Sequence, residues 1–431
     1  MRVAVLVVVV IVLIGCAPPP PDGDGPGEGE GEGEGEAGPT GFDVDVDADE
    51  VPCERLEAWP ILVPSPAHPW VLHLRDESER ALGDAMMADL DLAWDQERAL
   101  GFPDAPGDEG VCGDDGLFDV FLFAGSERAY VDSIADIPAT PFNDVAPFLV
   151  IDYEFWPPST MAHELNHAMQ ASCDWNETAF IFEATSQFIE EALFDDDDIY
   201  REVLVDFQSQ ADRALDFDDG YAGYYMYGAA LYLFYLDEAV FSDDPTWLGR
   251  MWLGARSTEN PAGLGGEPDV EDVLEDMLQE QRSMSFFDSV VEFARWRYYL
   301  AGHDDGRHFS EAAELLDDAL VPELSLAVGG EQSAALSELG TLYLALSGAA
   351  DGDVHVTVGG ELDGATLIAQ ALPGLDGSDG QRVDGSNVFT VRLSSAGTRV
   401  LALTLLPPPE RADPDVVERP RRPLSITAST P

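Results

Sequence analysis

The sequence predicts an α+β protein that ends in a small β-rich domain. Its 431 residues are enough for two domains. Residues 53–152 combine one helical stretch with apolar runs typical of strands, and residues 159–318 are mostly helical in pattern. After residue 321, short β-type runs alternate with Gly-, Asp- and Ser-rich turns. We therefore expect one large domain over residues 53–320 and a small β-sandwich over residues 321–406.

The N-terminus carries a short apolar export signal that ends at a cysteine. Arg2 precedes an apolar run over residues 3–14, which is too short to span a membrane comfortably. Leu13-Ile-Gly-Cys16 resembles a bacterial lipobox, which implies removal of residues 1–15 and attachment of a lipid to Cys16. Ala17, where Asp would signal retention, favours the outer membrane or the cell surface. An ordinary signal peptide or an uncleaved anchor is the alternative.

Two segments have the composition of disordered chain. Residues 16–52 contain a proline run and an alternating Gly-Glu repeat, and they cannot bury enough apolar surface to fold. We expect them to tether the globular part to the lipid. Residues 407–431 are rich in Pro and Arg, and we expect a disordered tail there.

The chain is strongly acidic, with a formal net charge of −63 from 84 acidic and 21 basic residues. All the basic residues are arginines. Such a charge excludes nucleic acids and anionic membrane surfaces as partners, because both would be repelled. The acidic runs at 195–198 and 216–219 are expected to be solvated loops, with Ca²⁺ binding as the weaker alternative.

The segment His163-Glu-Leu-Asn-His167 has the chemistry of a zinc site. Residues four apart share one face of a helix, so both imidazoles can reach one metal ion. Glu164 follows the first ligand and can act as a general base towards a metal-activated water. The apolar run at 148–151 predicts a strand before this helix, and Pro157-Pro-Ser159 separates the two.

A catalytic zinc ion needs a third protein ligand. The metzincin pattern requires Gly and His where this chain has Gln170 and Cys173, so that geometry is excluded, and Cys173 stays a minor ligand candidate. Glu183 is the better candidate because a carboxylate in its apolar surroundings is costly to bury unless it is paired or bound to metal. Glu177 is a weaker alternative.

These two segments resemble the gluzincin peptidases. More specifically, they resemble a group of secreted bacterial metallopeptidases whose glutamate segment is E-A-T-A-x-W-x-E-D, with Ser186 and Phe188 here in place of the second Ala and the Trp. The resemblance covers residues 119–238 and implies a sheet subdomain followed by a helical subdomain. It makes Glu183 the third zinc ligand and gives Glu190 or Glu191 a supporting role.

A later tyrosine-rich helix extends the resemblance. Tyr225-Met-Tyr-Gly-Ala229 is similar to the Y-x-x-G-A helix of the aminopeptidase branch. This places Tyr225 on the tyrosine that donates to the oxyanion, with Tyr224 and Tyr227 as rivals. Such a donor is needed where charge develops on the scissile carbonyl.

The sequence therefore favours a zinc metallopeptidase that acts on peptide or protein substrates. His163, His167 and Glu183 would bind Zn²⁺, and Glu164 would be the general base. One alternative is a surface adhesion or binding lipoprotein that keeps the scaffold without catalysis. Another is a zinc hydrolase of a non-peptide amide or ester. With Cys16 lipidated, Cys53 and Cys112 could form a disulfide, which would leave Cys173 as a free thiol.

Overall fold

The computed structural model describes most of the chain after residue 57. The described residues are 58–108, 116–125, 129–137, 140–194, 197, 199–218, 223–258, 268–348, 352–372, 381–383, 387–393, 399–409 and 419–431. The predicted export signal and tether lie outside them, and so do Cys53 and Cys112 with their predicted disulfide.

A five-stranded sheet forms the N-terminal part of the large domain, in the order β1-β2-β3-β5-β4. The three inner strands are parallel, whereas the two outer strands are antiparallel to their neighbours. The inner strands are buried along their whole length, as expected for apolar runs that are covered on both faces. The strands are β1 (Ile61–Pro64), β2 (Trp70–Leu74), β3 (Phe118–Leu122), β4 (Ala129–Asp136) and β5 (Val145–Ile151).

Helices make up the rest of the large domain, and the first one packs on the sheet. They are α1 (Arg80–Ala99), α2 (Pro158–Gln170), α3 (Ala179–Leu193), α4 (Ile199–Ser209), α5 (Tyr225–Gly228), α6 (Ala230–Tyr235), α7 (Trp247–Gly254), α8 (Val270–Arg282) and α9 (Phe286–Tyr298). The chain leaves α6 through a π-helical turn at Leu236–Val240. None of the described helices combines the length and apolar character needed to cross a membrane.

The motif helix α2 begins at Pro158, within the Pro-Pro-Ser segment that separates it from the preceding strand. Pro157 is extended and Pro158 occupies the first turn, where its missing N–H costs no hydrogen bond. Every residue from Met161 to Gln170 is buried, because α2 lies between the sheet, α1 and α3. The helix therefore presents polar side chains to a closed interior, where each of them needs a partner.

Two sheets form the C-terminal β-sandwich, in the orders β11-β10-β13-β8-β6 and β12-β9-β14-β7. Alternate side chains of both sheets enclose one apolar core that includes Val356, Leu403 and Ile426. The strands are β6 (Glu323–Ala327), β7 (Glu331–Ser337), β8 (Thr341–Ser347), β9 (Gly352–Gly359), β10 (Thr366–Leu372), β11 (Gln381–Val383), β12 (Val388–Leu393), β13 (Arg399–Leu406) and β14 (Arg421–Ser429).

The prediction of a disordered C-terminal tail is wrong for residues 419–431. There β14 pairs with both β7 and β9, and buried and exposed side chains alternate along it. The alternation is present in the sequence, where Leu424, Ile426 and Ala428 face the core, but flanking Pro and Arg residues obscured it. Arg419 also forms a buried ion pair with Asp216 of the large domain, at 2.7 Å.

Candidate metal centre

Helices α2 and α3 bring three predicted ligands together. His163 and His167 lie one turn apart on α2, with their ring centroids 4.8 Å apart. Glu183 of α3 places Oε2 3.2 Å from Nε2 of His163 and 3.5 Å from Nε2 of His167. One ligand atom from each residue lies within 4.8 Å of the other two, so this buried group could hold a metal ion.

The start of α3 fixes the position of Glu183. Phe182 packs its ring against Trp175 and Trp252, at centroid distances of 5.7 and 5.0 Å. One turn further on, Thr185 accepts a hydrogen bond from the indole N–H of Trp252 at 3.2 Å. The aromatic residues of the glutamate segment therefore hold the helix that carries the carboxylate.

Burial and charge act together at the three ligands. Burial alone would raise the pKa of Glu183, but the facing His167 and His163 hold it down at about 2. Burial would lower the pKa of His163, but Glu183 and Glu190 raise it well above its ordinary value. The Glu183 carboxylate is thus stabilised in its charged form, which is the form that binds a metal ion.

Glu164, the predicted general base, is also buried beside the ligands. Only 9% of its surface is exposed. Burial raises the pKa of its carboxyl group, and the neighbouring charge of His167 and His163 offsets part of that rise. A raised pKa makes a carboxylate a better proton acceptor.

A carboxylate supports His163 from behind. Oε2 of Glu190 lies 3.2 Å from Nδ1 of His163 and accepts a second hydrogen bond from Nε2 of Gln187 at 3.0 Å. Since Nδ1 is engaged there, Nε2 of His163 is left to face Glu183. Of the two supporting residues that the resemblance implied, Glu190 is the one in this position.

A glutamine amide and a serine hydroxyl support His167, and neither role was predicted from the sequence. Nδ1 of His167 lies 2.9 Å from Oε1 of Gln170 and 3.1 Å from Oγ of Ser186. Gln170 served only to exclude the metzincin pattern. Its position three residues after His167, on the same face of one helix, was the available signal.

Tyr225 is not brought to the metal ligands, which corrects the sequence-based assignment. Its hydroxyl donates to the carbonyl oxygen of Ala214 at 2.8 Å, and burial raises its pKa. Tyr227, named as a rival, has its ring 5.9 Å from that of His163, with 25° between the two planes. The tyrosine-rich helix therefore reaches the site two residues later than predicted.

Neither alternative third ligand joins the group. The Cys173 thiol is buried and its pKa is raised to about 12, so it is a thiol rather than a thiolate. Glu177 instead accepts a hydrogen bond from the backbone N–H of Val270 at 3.1 Å. Across the described residues no second group of three such side chains converges. The acidic runs at 195–198 and 216–219, expected to be solvated loops with Ca²⁺ binding as the weaker alternative, lie partly outside the described residues.

Comparisons with known proteins leave the family open. No protein-family model and no curated protein matches the chain. Among solved structures, the pre-peptidase C-terminal domain of a collagenase from Bacillus anthracis matches at 9% identity and a TM-score of 0.20, covering 25% of this chain and 95% of that one. PliG, a periplasmic inhibitor of g-type lysozyme from Aeromonas hydrophila, matches at 17% identity and a TM-score of 0.18, covering 25% and 100%. Both likenesses are too low to assign a fold or a function.

Proposed function

We propose that the protein is a zinc-dependent metallopeptidase of gluzincin type. The spacing of the Glu183 oxygen from the two imidazole nitrogens carries the proposal. Atoms bound at about 2.1 Å to one tetrahedral zinc ion lie about 3.4 Å apart. The Glu183 oxygen lies 3.2 and 3.5 Å from the two imidazole nitrogens, which brackets that distance.

The donor set also fits zinc in its chemistry. Two imidazoles and one carboxylate are a common protein ligand set of catalytic zinc. Each Nδ1 has a hydrogen-bond partner behind it, at Glu190 and Gln170, which leaves each Nε2 as the ligand atom. When bound in such a site, zinc polarises a carbonyl group and lowers the pKa of a water molecule.

The chain's own residues supply the proton transfer and the charge stabilisation. Glu164 accepts the proton of the attacking water on its carboxylate and passes it to the leaving amine. Tyr227, with its ring beside His163, takes the role first given to Tyr225 and donates its O–H to the developing oxyanion. The support for these roles is the burial of Glu164 beside the two histidines and the ring contact of Tyr227 with His163.

An edge strand beside the motif helix favours a peptide as the substrate. Strand β4 is the last strand of its sheet, pairs on one side with β5, and contacts α2. An extended peptide can add to such an edge through backbone hydrogen bonds. A small amide or ester would not use this surface.

The test measures zinc binding and proteolysis, and it uses one substitution that should abolish proteolysis without abolishing zinc binding. We expect the purified protein to bind one zinc ion per chain and to cleave an unfolded protein, with loss of activity on chelation and recovery on adding zinc. Glu164→Gln should retain zinc and lose cleavage, and Glu154→Gln, at an exposed site before α2, should retain both. A zinc-loaded protein that cleaves no peptide but hydrolyses simple esters or amides would favour the non-peptide hydrolase. One that hydrolyses neither would favour the binding protein.

We propose further that the protein is an exported lipoprotein held at the outer membrane or cell surface through Cys16. The support is the apolar run at residues 3–14, followed directly by Gly15 and Cys16. Labelled palmitate should be incorporated into the wild-type protein and not into Cys16→Ala. Equal labelling of the two proteins would contradict the lipid attachment.

A further inference from the structure

Behind His167 lies a chain of three buried polar side chains that crosses the contact between α1 and α2. It runs from Glu97 on α1, through Asn166 on α2, to Gln170 one turn later on α2. All three side chains are fully buried. Polar groups in such a position are retained only when each has a partner, so the donors and acceptors must match along the whole chain.

The carboxylate at the start sets the direction of every hydrogen bond after it. Asn166 donates Nδ2 to Oε2 of Glu97 at 2.9 Å, so its Oδ1 points the other way. That oxygen accepts from Nε2 of Gln170 at 2.8 Å and from Oγ of Ser186 at 3.1 Å. Because Oε2 of Glu97 accepts this bond, Asn166 presents its NH₂ group to α1 and its oxygen to Gln170.

The same logic fixes the proton on His167. Gln170 donates its Nε2 to Asn166 and also to the carbonyl oxygen of Phe182 at 3.3 Å. Its Oε1 therefore faces Nδ1 of His167 at 2.9 Å and can only accept. Nδ1 must carry the proton, and the lone pair is left on Nε2, the atom that faces Glu183.

We infer that Glu97, Asn166 and Gln170 form a positioning relay, which holds His167 in its metal-binding tautomer and orientation. The inference rests on the metal centre of the proposed function. It does not depend on whether the substrate is a peptide. None of the three residues is a catalytic residue, since they act on the site only through His167.

The experiment measures zinc affinity by competition with a chelator. Gln170→Leu keeps the approximate size of the side chain and removes both of its hydrogen-bonding groups, Oε1 and Nε2. We expect it to weaken zinc binding by about 10- to 100-fold. Gln370→Leu is the matched control, because it replaces another buried glutamine, on β10 of the sandwich, and should leave zinc affinity unchanged.

Two readouts distinguish a positioning role from a packing role. Gln170→Glu restores an acceptor for Nδ1 of His167 but adds a buried charge and removes the donor to Asn166, so its zinc affinity should lie between that of Gln170→Leu and that of the wild type. The visible absorption of the Co²⁺-substituted protein reports ligand geometry. It should change in Gln170→Leu and match the wild type in Gln370→Leu.

Each outcome decides the inference. Wild-type zinc affinity and a wild-type cobalt spectrum in Gln170→Leu would overturn it, as would a failure of Gln170→Glu to recover affinity.

If Gln170→Leu does not fold, the zinc affinity of Glu97→Gln decides whether the relay exists. The new amide has two orientations. In one, its NH₂ group faces Asn166 and the direction of the hydrogen bonds is reversed. In the other, its NH₂ group takes the place of Oε1, which has no hydrogen-bond partner among the described residues. Zinc binding should then weaken, and unchanged affinity would refute the relay. If the wild-type protein binds no zinc, both the relay and the proposed metal centre are refuted. If it binds zinc but shows no proteolysis, only the proposed peptidase activity is refuted.

Discussion

Replacing Glu190 by Gln tests the carboxylate behind His163, the first of the proposed zinc ligands. Oε2 of Glu190 lies 3.2 Å from Nδ1 of His163, and Gln187 donates to the same oxygen. A glutamine has one oxygen for these two donors, and its NH₂ group would lie at Oε1, which has no hydrogen-bond partner in the described part of the chain. A hydrogen bond to a charged group contributes about 1.5–3 kcal/mol. Losing that charge should weaken zinc binding about 10- to 100-fold, equal to about 1.4–2.7 kcal/mol.

Thermal and chemical unfolding with and without zinc measure this loss. A ligand that binds only the folded state stabilises it by RT ln(1 + [L]/Kd). At one saturating free zinc concentration, the zinc-induced stabilisation of Glu190→Gln should therefore be about 1.4–2.7 kcal/mol smaller than that of the wild type. Glu79→Gln is the control, since Glu79 is also buried and accepts from Arg75, in a different part of the chain. The reasoning is refuted if Glu190→Gln gains as much stability from zinc as Glu79→Gln does.

Three further predictions concern the tyrosines, the C-terminal strand and a buried acid. Tyr227→Phe should lower kcat by about 10²–10³-fold with zinc affinity unchanged. Tyr225→Phe should keep its activity and lose about 1 kcal/mol of unfolding free energy. The opposite pattern would assign the oxyanion role to Tyr225. Ile426→Ala should lower the unfolding free energy in urea by about 2–5 kcal/mol because Ile426 is fully buried in the sandwich, and a change near zero would show that β14 is dispensable. Burial, with Asp269 and Asp174 nearby, raises the pKa of Glu177 well above its ordinary 4.5. The stability linked to its protonation is therefore complete below pH 4.5 and is lost as the pH rises through the raised pKa. With chelator present, Glu177→Gln should accordingly be more stable than the wild type at pH 7, and the gain should shrink towards pH 4; lower stability at pH 7 would contradict this.

The convergence of His163, His167 and Glu183 was predictable because helical geometry ties spacing to direction. His163 and His167 are four residues apart, so they share a face wherever the helix lies. Glu183 was predictable on a different ground, since a carboxylate within the apolar segment at 180–184 needs a positive partner when it is buried. The structure supplies that partner as the two imidazoles, at 3.2 and 3.5 Å.

Tertiary packing decided what the sequence pattern left open. Tyr225 and Tyr227 lie in the same short helix, and only the packing of Tyr225 between Phe207 and Phe217 sends its hydroxyl towards Ala214. The two strand-like features of β14, alternation and buried Leu and Ile, compete in the sequence with Pro and Arg. Pairing with β7 on one side and β9 on the other overrides that composition.

The supporting groups of the two histidines differ in charge, and burial gives the physical reason. Glu97, Glu164, Glu183 and Glu190 already place four buried carboxyl groups around His163 and His167. The cost of burying that charge is visible in Glu97 and Glu164, since burial raises the pKa of both. A fifth carboxylate, behind His167, would add to the repulsion in a place with no solvent to screen it. A glutamine provides the acceptor that Nδ1 needs without adding charge. Its remaining NH₂ group is what requires Asn166 as an acceptor, and Asn166 in turn requires Glu97. The neutral Gln170 and the buried Glu97 therefore have the same electrostatic cause, which is the need for an uncharged acceptor at Nδ1 of His167.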